Sequence, residues 1–274
     1  MNVGALLKTS VNYIPYSARD YIRRVPGLAS LQRLIIQRFM SGSPFVHTVN
    51  AGPARGLKFE VTLPADKAIW AGTYEREFAE AIAAAIEAGD VCYDVGGYRG
   101  YMAAAMALSG ASEVFVFEPL PANQDALRSM ISLNPDLPIS LKSLALGASE
   151  GAASLSIMPE LSMAKLAAST FQPGAAPLTS IEVDLRTIDG LVSEGALPPP
   201  AFMKIDVEGS EYEVLTGAET VLRKYRPIVF IEMHSRELEA SCSGLLSALG
   251  YELRRLGPAP RQGEEVSHFA CHPV

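Results

Sequence analysis

Two acidic residues end two apolar segments of the chain, and a glycine-rich turn lies between them. Asp94 ends the segment VCYD, and Glu118 ends the segment VFVFE twenty-four residues later. The turn contains Gly96, Gly97 and Gly100 and leads into an alanine-rich stretch. Glycine lets the backbone approach a ligand closely, and an acidic residue at the end of the second strand accepts hydrogen bonds from ribose hydroxyls. The pattern therefore predicts half of a site for an adenosine-containing cofactor.

The spacing of the turn indicates which cofactor this is. A dinucleotide fingerprint reads G-x-G-x-x-G, whereas this turn reads D-x-G-G-x-x-G, with Asp94 two residues before the first glycine. A carboxylate there would repel a pyrophosphate, but it suits S-adenosylmethionine (SAM), which has a cationic amino-acid portion and no phosphates. An NAD(P)-dependent oxidoreductase remains the alternative enzyme, because it shares the glycine turn and the ribose-binding acid. In the remaining alternative, the glycine-rich turn has a purely structural role and binds no cofactor.

Two later apolar segments also end in polar residues. In FMKIDV the alternation of a strand places Lys204 and Asp206 on one face, and in IVFIEMH it places Glu232 and His234 on one face. Open α/β sheets bind ligands at the carboxyl ends of their strands, so we expect Asp206, Glu232 and His234 to meet there. The alternatives are a buried carboxylate paired with Lys204 and a histidine with a structural role.

These side chains have the chemistry needed for proton transfer. Methyl transfer to a neutral hydroxyl needs a base within hydrogen-bond reach, and we predict that His234 or Asp206 is this base, with Glu232 orienting the histidine. In a second interpretation the three residues bind a hard divalent cation such as Mg²⁺, which lowers the pKa of the acceptor hydroxyl. Glu208 and Glu211 flank the start of the next helix, where the helix dipole alone favours acidic residues.

Alternating strand and helix patterns must position these residues. They predict parallel βαβ units and hence an α/β protein with a mostly parallel sheet. Residues 1–45 are predicted to form a helical appendage, and residues 46–274 a SAM-binding domain. The other predicted elements are a hairpin over 45–63, a strand over 139–146, a long loop at Leu166–Leu178 that is either mobile or over the active site, one helix over 210–225 and two final strands.

Charge and composition limit the partners and the location. The net charge is −7, but residues 1–60 carry +6 and the remainder −13. The acidic body argues against nucleic acid as a partner, whereas the basic arm is a candidate contact for a membrane surface, an anionic substrate or a second copy of the chain. The three cysteines form no CxxC pair, which is typical of a reducing compartment. We expect a cytoplasmic protein without a membrane span.

Together these motifs resemble the FkbM family of SAM-dependent methyltransferases over roughly residues 52–235. The resemblance rests on GPARGLKF, GTYERE, YDVGGYRGY, VFVFEPLPAN, SLALGASEG, LRTIDGL and, most specifically, MKIDVEGSEYEVLTGAETVLRKYRPIVFIEMH. It implies the Rossmann-like fold of class I methyltransferases, which is a seven-stranded, mostly parallel sheet with flanking helices and an antiparallel last strand. It also implies O-methylation of a saccharide, glycolipid or polyketide-type natural product.

The resemblance further implies which residues bind SAM. The loop residues Asp94, Gly96, Gly97 and Gly100 are implied for the methionine and ribose part, Glu118 for the ribose, and Ser143, Leu144 and Ala145 for the adenine. Tyr98, Pro119 and Asp206 are further predicted cofactor contacts. The family loop usually reads Gly-Ala-Asn-x-Gly, whereas Gly97 and Tyr98 replace the Ala-Asn pair here and Arg99 fills the variable position. This departure keeps an inactive SAM-binding module as an alternative to an enzyme.

Overall fold

The computed structural model describes residues 42–157, 164–166, 179–257 and 266–274 of the chain. These residues form a β-hairpin, a central seven-stranded sheet with helices on both faces, and a four-stranded sheet beside it. Nearly all of the predicted helical appendage over 1–45, and most of the predicted loop at Leu166–Leu178, lie outside the described residues.

The elements alternate along the chain as the sequence pattern predicts. The strands are β1 (Phe45–Thr48), β2 (Lys58–Val61), β3 (Val91–Val95), β4 (Glu113–Phe117), β5 (Ile139–Lys142), β6 (Ala145–Leu146), β7 (Gly151–Ile157), β8 (Ala164–Leu166), β9 (Thr179–Arg186), β10 (Phe202–Ile205), β11 (Ile228–Met233), β12 (Tyr251–Leu256) and β13 (Ser267–Pro273). The helices are α1 (Lys67–Ala71), α2 (Arg76–Ala85), α3 (Tyr101–Leu108), α4 (Pro121–Leu133), α5 (Ile188–Ser193), α6 (Glu211–Thr216), α7 (Glu219–Tyr225) and α8 (Arg236–Ala248).

The central sheet confirms the predicted fold class. Its strand order is β12-β13-β11-β10-β3-β4-β5, and β13 runs antiparallel to both of its neighbours while the other pairs are parallel. The central strands read as nearly continuous apolar runs because helices cover both faces of the sheet. The carboxyl ends of β3, β4, β10 and β11 therefore meet at one edge, where polar side chains replace the apolar ones.

Two hydrophobic clusters hold this sheet between the helices. On one face, Phe78 and Ile82 of α2 and Met106 of α3 pack with Phe202 and Phe230 of the sheet. The opposite face packs against α5 to α8, through buried residues that include Ile188, Leu215, Leu222 and Leu246. This burial on both sides fixes the strand register, and with it the positions of the residues just after each strand.

Two predicted elements are divided in the structure. The strand predicted over 139–146 ends at Lys142, and Ala145–Leu146 joins the four-stranded sheet instead, with order β6-β9-β7-β8. The helix predicted over 210–225 is broken at Gly217, whose carbonyl accepts a hydrogen bond from the Asp189 amide at 2.9 Å. The Asp189 carboxylate then accepts the amides of Thr220 and Val221 at 2.9 and 2.8 Å and so begins a separate helix α7.

The predicted hairpin over 45–63 is present as the antiparallel pair β1 and β2, in which Phe45 lies opposite Val61. Within the described parts of the chain, no helix combines the length and the apolar character needed to cross a bilayer.

Candidate functional site

A cavity opens at the carboxyl edge of the central sheet. Loops that follow the four central strands form most of its wall, together with the segment before α2 and residues of β6 and β7. The lining residues are Tyr74, Glu75, Val95, Gly96, Tyr98, Phe117, Glu118, Pro119, Leu144, Ala145, Leu146, Leu155, Asp206, Val207, Glu208, Ser210 and Glu232. The cavity thus has an apolar part near β6 and an acidic part at the ends of β10 and β11.

Some of the sequence-predicted residues line this wall, and the others do not. Those that line the cavity are Gly96, Tyr98, Glu118, Pro119, Leu144, Ala145, Asp206 and Glu232. Those that are not part of the wall are Asp94, Gly97, Gly100, Ser143 and His234. Among the other lining residues, Glu75, Glu208 and Ser210 were not predicted to bind cofactor, substrate or metal, although each lies in a motif that carries the resemblance.

The glycine-rich turn is held tightly between two strand ends. Gly96 has a φ of +79°, and an added Cβ would lie 1.7 Å from the carbonyl oxygen of Asp206. Its amide donates a hydrogen bond to the Phe117 carbonyl at 3.0 Å. A side chain at position 96 would therefore separate β3 from β10, which explains why this position requires glycine.

Glu118 is a buried carboxylate that already organises the turn. Its Oε2 accepts the Tyr98 amide at 2.9 Å and its Oε1 accepts the Leu120 amide at 2.8 Å. Only 5% of the residue is exposed, and this burial raises the pKa of Glu118 to about 7 despite the hydrogen bonds. A carboxylate has about four acceptor positions, so it retains acceptor capacity for a ligand in the cavity.

Asp94 lies behind the turn and faces a lysine. Lys204 is its direct neighbour in the β3–β10 register, and the Lys204 Nζ lies 3.3 Å from Asp94 Oδ1, 3.1 Å from Asp206 Oδ2 and 2.7 Å from the Gly96 carbonyl. Although burial opposes its charge, the two carboxylates keep the pKa of Lys204 above its usual range. Asp94 is fully buried, so its position favours support of the turn through Lys204 over the expected direct contact with a ligand.

His234 lies at the centre of a group of carboxylates. Its Nδ1 is 2.8 Å from Glu211 Oε1, and its Nε2 faces Glu232 Oε1 at 3.3 Å, Glu208 Oε2 at 3.4 Å and Asp206 Oδ1 at 3.7 Å. The sequence analysis predicted that Glu232 orients this histidine. In the structure the nearest carboxylate is Glu211, at the first position of α6 and fully buried.

The electrostatics of this group do not favour His234 as a base. Burial lowers the pKa of His234, but hydrogen bonds with Glu211 and Glu232 outweigh this effect and raise it to about 11. The imidazole is then a cation at neutral pH and has no lone pair to accept a proton. Burial raises the pKa of Asp206, which makes that carboxylate the better proton acceptor of the two predicted candidates.

Among the residues that the structure describes, two sets of side chains have the spacing of a metal site. The ligand atoms of Asp206, Glu232 and His234, the predicted set, lie within 4.8 Å of one another. A second set within the same limit joins Glu75, Glu232 and His268. His268 Nε2 lies 2.7 Å from Glu232 Oε2. Hydrogen bonds with His234 and His268 outweigh burial and keep the pKa of Glu232 below its usual range.

Left-handed backbone conformations concentrate at the cavity. In the described part of the chain, the residues other than glycine with positive φ are Glu75 (39°), Tyr98 (48°), Glu208 (54°) and Arg226 (55°). The first three line the cavity. Such conformations cost about 1–3 kcal/mol each and persist where the surrounding structure requires them.

Arg99 is the charged residue of the glycine-rich turn. It contacts the hairpin and is not part of the cavity wall. Its guanidinium pairs with Asp66, donates to the Glu60 carbonyl at 2.8 Å and lies 5.2 Å from the centre of the Phe59 ring. Asp66 is itself fixed by the Thr62 amide at 2.6 Å. The hairpin segment therefore supports the turn from outside.

Comparison with known proteins matches the chain to one protein family and to several individual proteins. The family model described as the methyltransferase FkbM domain matches residues 94–257. The hexuronic acid methyltransferase AglP of Haloferax volcanii is 32% identical over 151 residues, which cover 54% of this chain and 58% of that protein. Among solved structures, methyltransferase FkbM from Methylobacillus flagellatus is 18% identical with a TM-score of 0.48, over 66% of this chain and 43% of that one.

A further similar structure is a precorrin-6y C5,15-methyltransferase from Geobacter metallireducens, with 13% identity and a TM-score of 0.47, over 73% of this chain and 89% of that one. The chain spans less than two thirds of the length of AglP and of the Methylobacillus protein.

Proposed function

Because the chain belongs to the FkbM methyltransferase family, we propose that it is a SAM-dependent O-methyltransferase. Its proposed acceptor is a hydroxyl group of a saccharide, glycolipid or polyketide-type natural product. One observation carries the proposal: Glu118 and Asp206, which end two strands of the same sheet, line one cavity beside the glycine-rich turn. This is the arrangement that a ribose-binding acid and a residue near the acceptor require.

The residues present fit an adenosyl ligand. Glu118 retains acceptor positions for ribose hydroxyls, and the apolar wall that includes Leu144, Ala145 and Leu155 is suited to a nucleobase. The bare backbone of Gly96 offers close approach beside them. By the same reasoning we propose Tyr98 and Pro119 as cofactor contacts, and the buried residues Asp94, Gly97 and Gly100 as supports behind the wall. Ser143 is exposed beside the lining residue Leu144, and its predicted contact with the adenine remains a proposal.

SAM supplies an electrophilic methyl group on a sulfonium, so the chain has to position the acceptor and remove its proton. We propose Asp206 as the base, because it lines the cavity and its pKa is raised by burial. Lys204 and the cationic His234 lie on either side of it, at 3.1 and 3.7 Å, and hold its carboxylate in place. Glu232, which was predicted to orient the histidine, contributes a second carboxylate to the same wall.

The metal-assisted variant uses the same residues. Asp206, Glu232 and His234 would bind a divalent cation such as Mg²⁺, and the cation would lower the pKa of the acceptor hydroxyl. This variant requires a neutral His234, whereas its two hydrogen-bonded carboxylates favour the cation. Direct base catalysis by Asp206 is therefore the version that the electrostatics support better.

The acceptor class rests on the family and on one relative. AglP is named for a hexuronic acid, and its similarity over about half of this chain supports a saccharide acceptor without specifying the sugar. Membrane contact through the basic arm and self-association remain predictions, since most of residues 1–60 lies outside the described part. A cytoplasmic location also remains a prediction.

The direct test is transfer of a labelled methyl group from SAM into a cell extract, with identification of the labelled product. Titration calorimetry with SAM, S-adenosylhomocysteine and NAD(H) runs in parallel. We expect binding of the first two ligands and a labelled methyl ether. Binding of SAM without transfer to any fraction would indicate the inactive module, and binding of NAD(H) alone would indicate the oxidoreductase.

A further inference from the structure

We propose that the rings of Tyr74 and Tyr98 bind the positively charged sulfonium of SAM through cation–π contacts, so that the cavity distinguishes SAM from S-adenosylhomocysteine, whose sulfur is uncharged. This inference rests on the proposed function and adds to it the residues that recognise the charge of the cofactor. It follows from the position, the packing and the electrostatic surroundings of the two rings.

The two tyrosines form one aromatic surface of the cavity. Both line the cavity and are partly exposed, and their ring centroids are 6.4 Å apart with an angle of 26° between the planes. Tyr98 lies in the glycine-rich turn, whereas Tyr74 precedes α2. The face of an aromatic ring carries a negative potential and attracts a cation within about 6 Å of the ring centre.

This aromatic surface lies between the residues proposed for the ribose and for the acceptor. The Tyr98 amide donates a hydrogen bond to Glu118 Oε2 at 2.9 Å. Burial first, and then the charges of Glu75 and Asp206, raise the pKa of Tyr74, which places its ring near the proposed base. The sulfur of SAM is bonded to the ribose and carries the methyl group that the acceptor receives. We therefore expect the sulfonium between Glu118 and Asp206, where the two rings lie.

The rings are held in place before any ligand binds. The ring of Tyr101, which is buried at the start of α3, packs edge-on against Tyr74 with centroids 5.4 Å apart and an angle of 60°. The Tyr74 hydroxyl donates a hydrogen bond to the Glu75 carboxylate. A surface that is already ordered loses little side-chain entropy on binding, so more of the contact energy appears as affinity.

The carboxylates of the cavity have little free charge to offer a cation. Asp206 is 3.1 Å from Lys204, and Glu232 is 2.7 Å from His268. Burial is the main cause that raises the pKa of Glu75 to about 7, so this residue carries only part of a charge at neutral pH. An aromatic face attracts a cation without needing a free countercharge.

The altered turn is compatible with a cation at this place. Tyr98 stands where the family pattern has asparagine, so an aromatic face replaces an amide beside Glu118. Arg99, the next residue, pairs with Asp66 and is not part of the cavity wall. The guanidinium of the turn is therefore directed to another partner and leaves the cavity to a cationic ligand.

The test compares three ligands by titration calorimetry at neutral pH. They are SAM, S-adenosylhomocysteine and sinefungin, a SAM analogue with an ammonium group at the place of the transferred methyl. The measured quantity is the dissociation constant of S-adenosylhomocysteine divided by that of SAM. In Tyr74→Leu and in Tyr98→Leu this ratio should fall by about threefold or more, because a cation–π contact strengthens only the charged ligand. Sinefungin should weaken together with SAM.

Matched variants separate the ring face from other effects. Tyr74→Phe and Tyr98→Phe keep an aromatic face and should keep the wild-type ratio, although the first removes the hydrogen bond with Glu75. Tyr225→Leu, at an exposed position that ends α7 outside the wall, is the control. Circular dichroism checks folding. If Tyr98→Leu does not fold, Tyr98→Asn takes its place, because asparagine suits the φ of +48° at this position.

An equal loss of affinity for all three ligands in the leucine variants would overturn the inference, because the rings would then act only as an apolar surface. A wild-type ratio in either leucine variant would overturn it for the pair as well. A folded wild-type protein that binds neither SAM nor S-adenosylhomocysteine would contradict the proposed function itself, and the wild-type titration identifies that case before any variant is compared.

Discussion

Glu211 Oε1 lies 2.8 Å from His234 Nδ1 and also accepts the Gly209 amide at 2.9 Å. The carboxylate thereby connects the turn before α6 to the histidine that follows β11. Because Glu211 is fully buried and His234 nearly so, their pairing keeps a positive charge beside the acidic part of the cavity.

The first prediction concerns this pair. Glu211→Gln removes the carboxylate that raises the pKa of His234, so the histidine should lose its proton at a lower pH. Its loss of charge leaves the surrounding carboxylates to repel one another, and the alkaline limb of the kcat/KM profile should move towards neutral pH by one unit or more. Glu213→Gln, exposed in the same helix, is the control. A profile identical in all three proteins would argue against a role for the pair.

The second prediction concerns the cofactor. Glu118→Ala should raise the dissociation constants of SAM and S-adenosylhomocysteine at least about tenfold, because hydrogen bonds to a charged group contribute about 1.5–3 kcal/mol. Glu118→Gln, which keeps an acceptor oxygen, should have a smaller effect. Calorimetry measures both, and far-ultraviolet circular dichroism checks folding. Unchanged affinity in a folded Glu118→Ala protein would show that this residue does not hold the ribose.

The third prediction concerns stability and pH. Burial raises the pKa of Glu118 from 4.5 to about 7, so the folded protein binds this proton more tightly than the unfolded chain. Its stabilising contribution is present below about pH 4.5 and is lost as the pH rises to about 7. The unfolding free energy of the ligand-free wild-type protein should fall between pH 5 and pH 8. In Glu118→Gln this fall should be smaller by on the order of 2 kcal/mol. Glu113 is exposed at the start of β4, and the control Glu113→Gln should show the same fall in unfolding free energy as the wild type. If Glu118→Gln also showed the wild-type fall, the raised pKa of Glu118 would be contradicted.

The fourth prediction concerns the segment between β2 and α1, which contains Asp66. Arg99 and Asp66 form an ion pair that is mostly shielded from solvent, so single substitutions should raise KM for SAM while kcat changes little. In a cycle of Arg99→Met, Asp66→Asn and the double variant, we expect a coupling of about 1–3 kcal/mol in unfolding free energy. Additive effects would indicate that the segment after the hairpin does not support the glycine-rich turn through this pair.

The fifth prediction separates the two catalytic versions. If Asp206 acts directly as the base, activity should survive exhaustive chelation and should not rise on addition of Mg²⁺. Asp206→Asn should then lower kcat by about 10²–10⁴-fold. Loss of activity on chelation, with recovery on addition of a divalent cation, would instead support the metal-assisted variant.

The sequence predicted the sheet and its carboxyl edge well because both follow from local patterns. Apolar runs that end in Asp94, Glu118 and Asp206 define strands by their own composition, and parallel strands bring their ends together. The break in the helix at Gly217 was missed because it depends on a hydrogen bond from Asp189, which is distant in the chain.

The acidic part of the cavity, formed by Glu75, Asp206, Glu208 and Glu232, was only partly predicted for a similar reason. Asp206 and Glu232 end neighbouring strands, and their proximity follows from the sheet. Glu75 precedes a helix, and its place in the cavity depends on how that helix packs. The charge of His234 depends on Glu211. The sequence analysis did not connect the two residues, because the helix dipole alone explains an acidic residue at the start of a helix.

The conformation of Tyr98 has a consequence for how this protein differs from its family. Asparagine adopts a φ of +48° more readily than tyrosine does, and the family pattern has asparagine here. The tyrosine ring instead stacks on Tyr74, with centroids 6.4 Å apart and an angle of 26°. Two aromatic rings thus form one side of the cavity wall, and substitution of Tyr98 by asparagine should give a more heat-resistant protein that binds its ligands less tightly.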